Sequence, residues 1–251
     1  MEKIRNMNWQ RIKNDSWVTM LFLATQIIVF VVMTLVGLTR GMGISGTQDV
    51  GLLYEFGALN AHGIILYHEF WRFITPIFIH IGLTHLLFNS VFLYFAGRDL
   101  EAIMGHWRFF CFYLLAGIGG NIFSFAFANP ASISAGASTA LFGIFGAFIA
   151  LGRIFPHNPK IQYMAKNMLT LAGINLLFNI FASNIDMLGH VGGLISGLLL
   201  GFVFSAPQLL SQRFSAMRDD NIHRRIACGL GFVLMLVALI MYSLQKYGMY
   251  L

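Results

Sequence analysis

Seven long apolar runs dominate the pattern of hydrophobic and polar positions along the chain. A transmembrane helix needs about 20 mostly apolar residues, and each run is close to that length. The strands of a transmembrane barrel would instead give short segments of alternating hydrophobicity. The pattern therefore predicts an all-α polytopic membrane protein with helices near residues 18–38, 82–100, 107–128, 138–155, 166–182, 187–205 and 226–245.

The overall composition supports this fold class. Hydrophobic residues make up 57% of the 251 positions, charged residues make up only 10%, and the mean hydropathy is +0.72. An average soluble domain carries about 25% charged residues. This composition excludes a disordered protein, a fibrous protein and an ordinary soluble globule.

The distribution of basic residues predicts the orientation of the helices. If the N-terminus is inside, the outer segments hold only Arg40, Arg72 and Lys246, while the remaining Lys and Arg residues of the total of 16 lie inside. Cytoplasmic loops of membrane proteins carry an excess of Lys and Arg. The net charge of +6 then reflects this bias and not nucleic-acid binding. We therefore expect a multi-pass protein of the cell membrane, with a cytoplasmic N-terminus and an outer C-terminus.

The same pattern divides the chain into four regions. They are a short cytoplasmic tail (1–17), a six-helix core (18–205), a cytoplasmic linker (206–225), and a seventh transmembrane helix with the outer C-terminus (226–251). The two cysteines, Cys111 and Cys228, do not stand at a spacing typical of metal ligands. We therefore expect no disulfide framework, no metal and no cofactor.

Four polar residues within or at the ends of the predicted spans lie at a similar depth below the outer surface. His85 and Asn89 share one face of the second helix, since they are four residues apart. Ser138 opens the fourth helix from outside, and His190 lies just after the outer start of the sixth. Polar groups inside a membrane are costly, so each one is a candidate functional residue.

The chemistry of these residues favours a nucleophilic site. A serine hydroxyl is a weak nucleophile until a base removes its proton, and histidine is the usual base. Acyl transfer also needs donors for the oxyanion, which Asn89, His85 and the backbone N–H of Ser138 can supply. Asp186 lies at a loop edge, so a Ser–His dyad is favoured over a triad.

Each of these features also has a purely structural interpretation. A buried histidine can be satisfied by a backbone carbonyl, and small residues at a helix start are common packing elements. Glycines recur every four residues in the sixth helix, which predicts close packing against a neighbour. His190 lies on or beside that glycine face, whose members are Gly189, Gly193, Gly197 and Gly201.

At these residues the chain resembles the rhomboid family of intramembrane serine proteases, over roughly residues 18–205. The resemblance is carried by Trp71-Arg72, by His80-x4-His85-x3-Asn89, by Gly136-Ala137-Ser138 and by His190-x2-Gly193-x3-Gly197.

The resemblance implies roles for five of these residues. It makes Ser138 the nucleophile and His190 the general base. His85 and Asn89 would contribute to the oxyanion hole together with backbone N–H groups, and His80 would have a more structural role. The seventh helix resembles the six-plus-one subgroup of the family.

The chain departs from the family pattern at one position next to the serine. Thr139 stands where the family pattern Gly-x-Ser-Gly has its last glycine, and its β-branched side chain would crowd the turn. Phe142, one helical turn after Ser138, is expected to pack against the imidazole of His190. Trp71 and Arg72 are expected to act structurally in the outer loop, with Arg72 paired to Glu69.

The leading hypothesis is therefore a serine endopeptidase that cleaves single-pass or polytopic membrane proteins within the lipid bilayer, with no nucleic-acid partner. One alternative is an inactive rhomboid-like protein that binds membrane segments, which Thr139 slightly favours. Another is a transporter built around intramembrane histidines. A transporter would spread polar groups across the bilayer, whereas here they cluster on the outer side.

Overall fold

The computed structural model describes residues 16–180, 185–205 and 221–248. These residues are almost entirely helical. In chain order the α-helices are α1 Trp17–Thr39, α2 Val50–Glu55, α3 Ala61–Tyr67, α4 Leu83–Phe92, α5 Arg98–Met104, α6 His106–Phe127, α7 Ser138–Ile154, α8 Pro159–Ile180, α9 Met187–Phe204 and α10 Ile222–Tyr247.

Two short strands join the long segment between α1 and α4 to the segment that leads into α7. Strand β1 (Leu59–Asn60) pairs antiparallel with β2 (Ile133–Ser134), so that Leu59 lies opposite Ser134. Three 3-10 turns complete this region, at Ile44–Gln48, Phe70–Phe73 and Thr75–Phe78. The end of the bundle at which α7 begins is referred to below as the serine end.

The helices confirm a multi-pass membrane protein. Among the described residues, α1, α6, α9 and α10 are each long and apolar enough to cross a membrane, and α7 is a shorter apolar helix. The predicted second span corresponds to α4 and α5, which are joined without a break by a π-helical segment, Leu93–Gly97.

Two helices begin earlier than hydropathy predicts. Helix α8 begins at Pro159 instead of 166, and α10 begins at Ile222 instead of 226. In each case an asparagine caps the start, because Asn158 accepts from the backbone N–H of Ile161 and Asn221 accepts from that of Arg224. Apolar runs mark the membrane-buried part of a helix, whereas polar caps mark where it begins. Most of the predicted linker, residues 206–220, lies outside the described residues.

The π-helical segment explains how one span can present two buried polar groups. In a straight helix Glu101 would lie about 120° around the axis from Asn89. The wider turn inserts an extra residue and rotates the part that follows it. Asn89 is consequently buried at the serine end, and Glu101 is buried at the opposite end.

The core forms where α9 packs directly on α7. A Cβ at Gly193 would overlap the carbonyl oxygen of Thr139, and one at Gly197 would overlap the backbone of Gly143. Farther along, Gly201 lies against Ala147 of α7. The glycine repeat of α9 thus lies on the face that packs against α7.

Helix α10 is fastened at both ends to helices of the core. Near its start, Arg225 donates from Nε to the carbonyl of Val203 at 3.0 Å, in the last turn of α9. Near its end, Lys246 donates to the carbonyl of Ala126 at 3.0 Å, and the Tyr247 hydroxyl donates to that of Phe125 at 3.1 Å. The seventh helix thus satisfies carbonyls that α6 and α9 leave without intrahelical partners.

Glu101 closes the N-terminus of α1 at the end of the bundle opposite the serine end. Its fully buried carboxylate accepts from the backbone N–H groups of Val18 and Thr19 at 3.1 and 2.8 Å, and from the Thr19 hydroxyl at 2.6 Å. The imidazole Nδ1 of His106 lies 2.6 Å from its other side. One side chain therefore anchors the first span to the second.

We expect Glu101→Gln to destabilise the fold by about 2–4 kcal/mol, because an amide N–H₂ would then face buried N–H donors. Thermal unfolding in detergent would measure the effect. The matched control is Glu55→Gln, which removes an exposed ion pair with Arg40 and should cost about 0–1 kcal/mol. Equal melting temperatures for the two variants would contradict the anchoring role of Glu101.

Candidate active site

The turn that precedes Ser138 is built around Gly136. Its φ of +140° lies in the region that disfavours residues with a side chain, and its N–H donates to the carbonyl of Pro76 at 2.9 Å. A Cβ at this position would overlap the imidazole of His85 and contact the amide of Asn89. Glycine therefore lets both side chains of α4 lie directly against the turn.

Ser138 is the first residue of α7, and the helix is left uncapped by a side chain. The N-cap residue is Ala137, which offers no side-chain acceptor. The first backbone N–H groups of a helix have no intrahelical acceptor, and the positive end of the helix dipole lies there. This terminus is therefore suited to stabilise negative charge.

His80 supports the same turn from the other side. It is completely buried, and its Nε2 lies 3.5 Å from the backbone N of Ala137, at the long limit of a hydrogen bond. Burial, reinforced by the nearby His85, lowers the pKa of His80 to about 3. The neutral ring can accept a hydrogen bond from this N–H at physiological pH.

Helix α9 places His190 against α7. The imidazole stacks on the ring of Phe142, with a centroid distance of 4.3 Å and an interplanar angle of 11°. Phe142 lies one helical turn after Ser138, so both side chains emerge on the same face of α7. The stacking that the sequence predicts is thus confirmed, and it places the imidazole beside the helix face that begins with Ser138.

Thr139 fits because glycines surround it. Its side chain lies between Gly120 of α6 and Gly189 of α9, and Gly193 lies against its backbone. It is 3% exposed, and its hydroxyl has no hydrogen-bond partner among the described residues. The β-branched residue consequently fills space between three helices instead of crowding the turn at Ser138.

Asn89 contributes a buried donor that no described residue uses. Its Nδ2 has no hydrogen-bond partner in the described part of the chain, although the residue is only 7% exposed. Leaving such a group unpaired costs about 1–3 kcal/mol. An unpaired buried donor next to the turn at Ser138 indicates a binding role for this side chain.

Arg72 organises the outer loop at a distance from the serine. It is 2% exposed, pairs with Glu69 as predicted, and donates to the carbonyls of Tyr54 and Ala58 at 2.9 and 2.8 Å. Trp71 is 54% exposed, which suits an anchor at the membrane interface. These residues shape the loop and do not line the turn at Ser138.

The sequence analysis did not predict a hydrogen bond that joins the start of α9 to the segment before α7. Asp186 accepts from the Ser134 hydroxyl at 2.8 Å and from the N–H of Gly189 at 2.8 Å. An Asp immediately before an apolar helix is a recognisable N-cap signal, but its second partner is 52 residues away. Within the described ranges, no group of three or more His, Cys, Asp or Glu residues is placed to hold a metal.

The sequence of the chain matches one family model and several known proteins. The family model described as Rhomboid domain matches residues 67–207. Rhomboid protease GluP of Bacillus subtilis is 38% identical over 192 residues, which cover 76% of this chain and 35% of GluP. Putative rhomboid protease YdcA of the same organism is 35% identical over 165 residues, covering 61% of this chain and 82% of YdcA.

A fungal relative extends the similarity beyond bacteria. Rhomboid-type serine protease 2 of Emericella nidulans is 32% identical over 156 residues, which cover 61% of this chain and 31% of the relative. The chain therefore spans about a third of GluP and of the fungal protein, and about four fifths of YdcA.

We expect Gly193→Ala to lower stability by about 1–3 kcal/mol, because the new Cβ would push α9 away from Thr139. The control is Gly173→Ala in α8, where a Cβ would meet nothing within 4 Å. That variant should be neutral or gain up to about 1 kcal/mol from helix propensity. Thermal unfolding compares them, and an unaffected Gly193→Ala protein would contradict the packing described for α7 and α9.

Proposed function

Because this chain belongs to the rhomboid family, we propose that it is an intramembrane serine endopeptidase that cleaves transmembrane proteins through a dyad of Ser138 and His190. The observation that carries the proposal is the stacking of the His190 imidazole on Phe142, one helical turn from Ser138. His85 and Asn89 lie against the turn before the serine, which supports their role as donors in the same site.

The dyad would act by acyl transfer. His190 takes the proton of the Ser138 hydroxyl as the oxygen attacks the scissile carbonyl, which forms a tetrahedral intermediate. The imidazolium then gives this proton to the leaving amine, and the C–N bond breaks. Water, deprotonated by the same imidazole, attacks the acyl-enzyme and releases the serine. No metal or cofactor takes part in these steps.

The oxyanion would be stabilised by donors from two helices. The Nδ2 of Asn89 is buried without a partner, so it can donate without first losing a hydrogen bond within the described structure. His85 and the N-terminal backbone N–H groups of α7 are the other candidate donors. Such preorganised donors in a site shielded from water are among the largest contributions to enzyme catalysis.

The charge distribution supports cleavage near the outer face of the cell membrane. Lys246 lies beside the end of α6 near the serine end, and Arg72 lies in the loop at that end. Arg225, at the start of α10, contacts the opposite end of α9. Arg108, at the start of α6, and Arg153, at the end of α7, also lie at that opposite end, so positive residues concentrate there. Because cytoplasmic segments carry the excess of Lys and Arg, this distribution favours an outward serine end and a cytoplasmic N-terminus.

The substrate must unwind before Ser138 can reach a peptide carbonyl. A bond within a transmembrane helix is hydrogen-bonded and shielded, so helix-breaking Gly or Pro in the substrate lowers the cost of exposing it. The inactive alternative draws little support from Thr139, since that side chain lies among the glycines of α6 and α9.

Ser138→Ala and His190→Ala should each abolish cleavage of a transmembrane reporter while leaving the fold intact, because a nucleophile and its base act as a unit. The matched controls are Ser196→Ala, at a buried serine of α9, and His62→Ala on the exposed face of α3. Both controls should cleave normally. Substantial cleavage by Ser138→Ala or by His190→Ala would rule out the dyad.

Asn89→Ala should lower kcat by about 10- to 1000-fold with a smaller change in KM, because the lost donor acts on the oxyanion. Its melting temperature should not fall, since Nδ2 makes no hydrogen bond within the described structure. Steady-state kinetics and thermal unfolding of one preparation give both values. A lower melting temperature with unchanged kcat would instead assign Asn89 to packing.

A further inference from the structure

We propose that Asp186 is a positioning residue whose carboxylate holds the nucleophile and the base at a fixed separation. This inference rests on the proposed function of Ser138 and His190. Asp186 is the N-cap of α9, four residues before His190, and it binds the segment that leads to Ser138.

The two carboxylate oxygens bind different parts of the chain. Oδ1 accepts from the N–H of Gly189 at 2.8 Å, inside the first turn of α9. Oδ2 accepts from the hydroxyl of Ser134 at 2.8 Å. The backbone carbonyl of Asp186 also accepts from the N–H of His190 at 3.1 Å, which opens the regular hydrogen bonding of the helix. Two acceptors of Asp186 thus define where the helix that carries the base begins, and the third joins that helix to the segment before Ser138.

The path from this carboxylate to the nucleophile is short and stiff. Ser134 belongs to β2, where it pairs with Leu59, and only three residues separate it from Ser138. Among those three, Gly136 is held by the Pro76 carbonyl and Ala137 is buried beside His80. Few backbone torsions therefore remain free between the Ser134 hydroxyl and the Ser138 hydroxyl.

A helix cap alone does not explain this arrangement. Capping needs one side-chain oxygen, and it contributes about 1 kcal/mol. The second oxygen instead bridges 52 residues of sequence, from the segment before α7 to the start of α9. Glycine contacts between α7 and α9 set how closely the helices approach. The bridge from Asp186 to Ser134 also fixes how far along α7 the start of α9 lies. A displacement of about 1 Å between reacting groups can lower the rate about 100-fold.

The test compares Asp186→Ala, Asp186→Asn and Ser134→Ala in the full chain. An asparagine keeps an oxygen for Gly189 and offers an N–H₂ that the Ser134 hydroxyl can accept. The control is Asn158→Ala, which removes the cap of α8 without touching the site. Active sites are counted by the end point of fluorophosphonate labelling. Cleavage of a transmembrane reporter then gives KM, and kcat per active site.

We expect Asp186→Ala to lower kcat per active site by about 10- to 100-fold with KM unchanged. Ser134→Ala, which keeps the cap, should also lower kcat per active site, whereas Asp186→Asn should keep a value near that of the wild type. Asn158→Ala should lose stability but keep its kcat. Combining Ser134→Ala with Asp186→Ala should add little to the effect of Asp186→Ala, because both remove one bridge.

A wild-type kcat per active site in Ser134→Ala would overturn the proposal, even if Asp186→Ala failed to fold. An Asp186→Asn variant as impaired as Asp186→Ala would also overturn it, since the charge and not the bridge would then matter. Failure of the proposed function is distinguishable. In that case Ser138→Ala itself would cleave the reporter, whatever the Asp186 variants do.

Discussion

The backbone contact between α7 and α9 is the constraint on which the rest of the structure depends. Gly193 and Gly197 of α9 lie so close to α7 that an added Cβ would overlap backbone atoms of Thr139 and Gly143. Helices in lipid gain little from hydrophobic burial against each other, so close van der Waals contact of this kind holds them together. This contact also brings His190, near the start of α9, against Phe142 in the second turn of α7.

Buried polar side chains fix the positions of segments that the glycine packing alone leaves undetermined. Glu101 anchors α1 to the second span, Arg72 hydrogen-bonds to the carbonyl of Ala58 within the loop between α1 and α4, and Asp186 accepts from the Ser134 hydroxyl. Each satisfies several partners at once, as a polar group away from water must. The Nδ2 of Asn89 is a contrasting case, because it is buried beside the turn at Ser138 and has no hydrogen-bond partner among the described residues. A donor left free at this position is what an oxyanion site requires.

Much of the fold could be predicted from the sequence, because membrane spans are long and apolar and the glycine repeat marks one packed face. Phe142 against His190 was predictable in the same way, since residues one turn apart share a helix face. Helix starts at Asn158 and Asn221 were missed, because capping is local polar chemistry outside the apolar runs. The bridge from Asp186 to Ser134 was missed for another reason. It depends on a tertiary contact that spacing along the chain does not reveal.

The most direct test of the central claim is to map the residue that a fluorophosphonate modifies in the intact protein, by mass spectrometry of its peptides. Such probes form a covalent bond only with a serine that a neighbouring base has activated. The account predicts a single adduct on Ser138, which disappears when His190 is replaced by alanine. Modification of another serine, or an adduct on Ser138 that persists without His190, would contradict it.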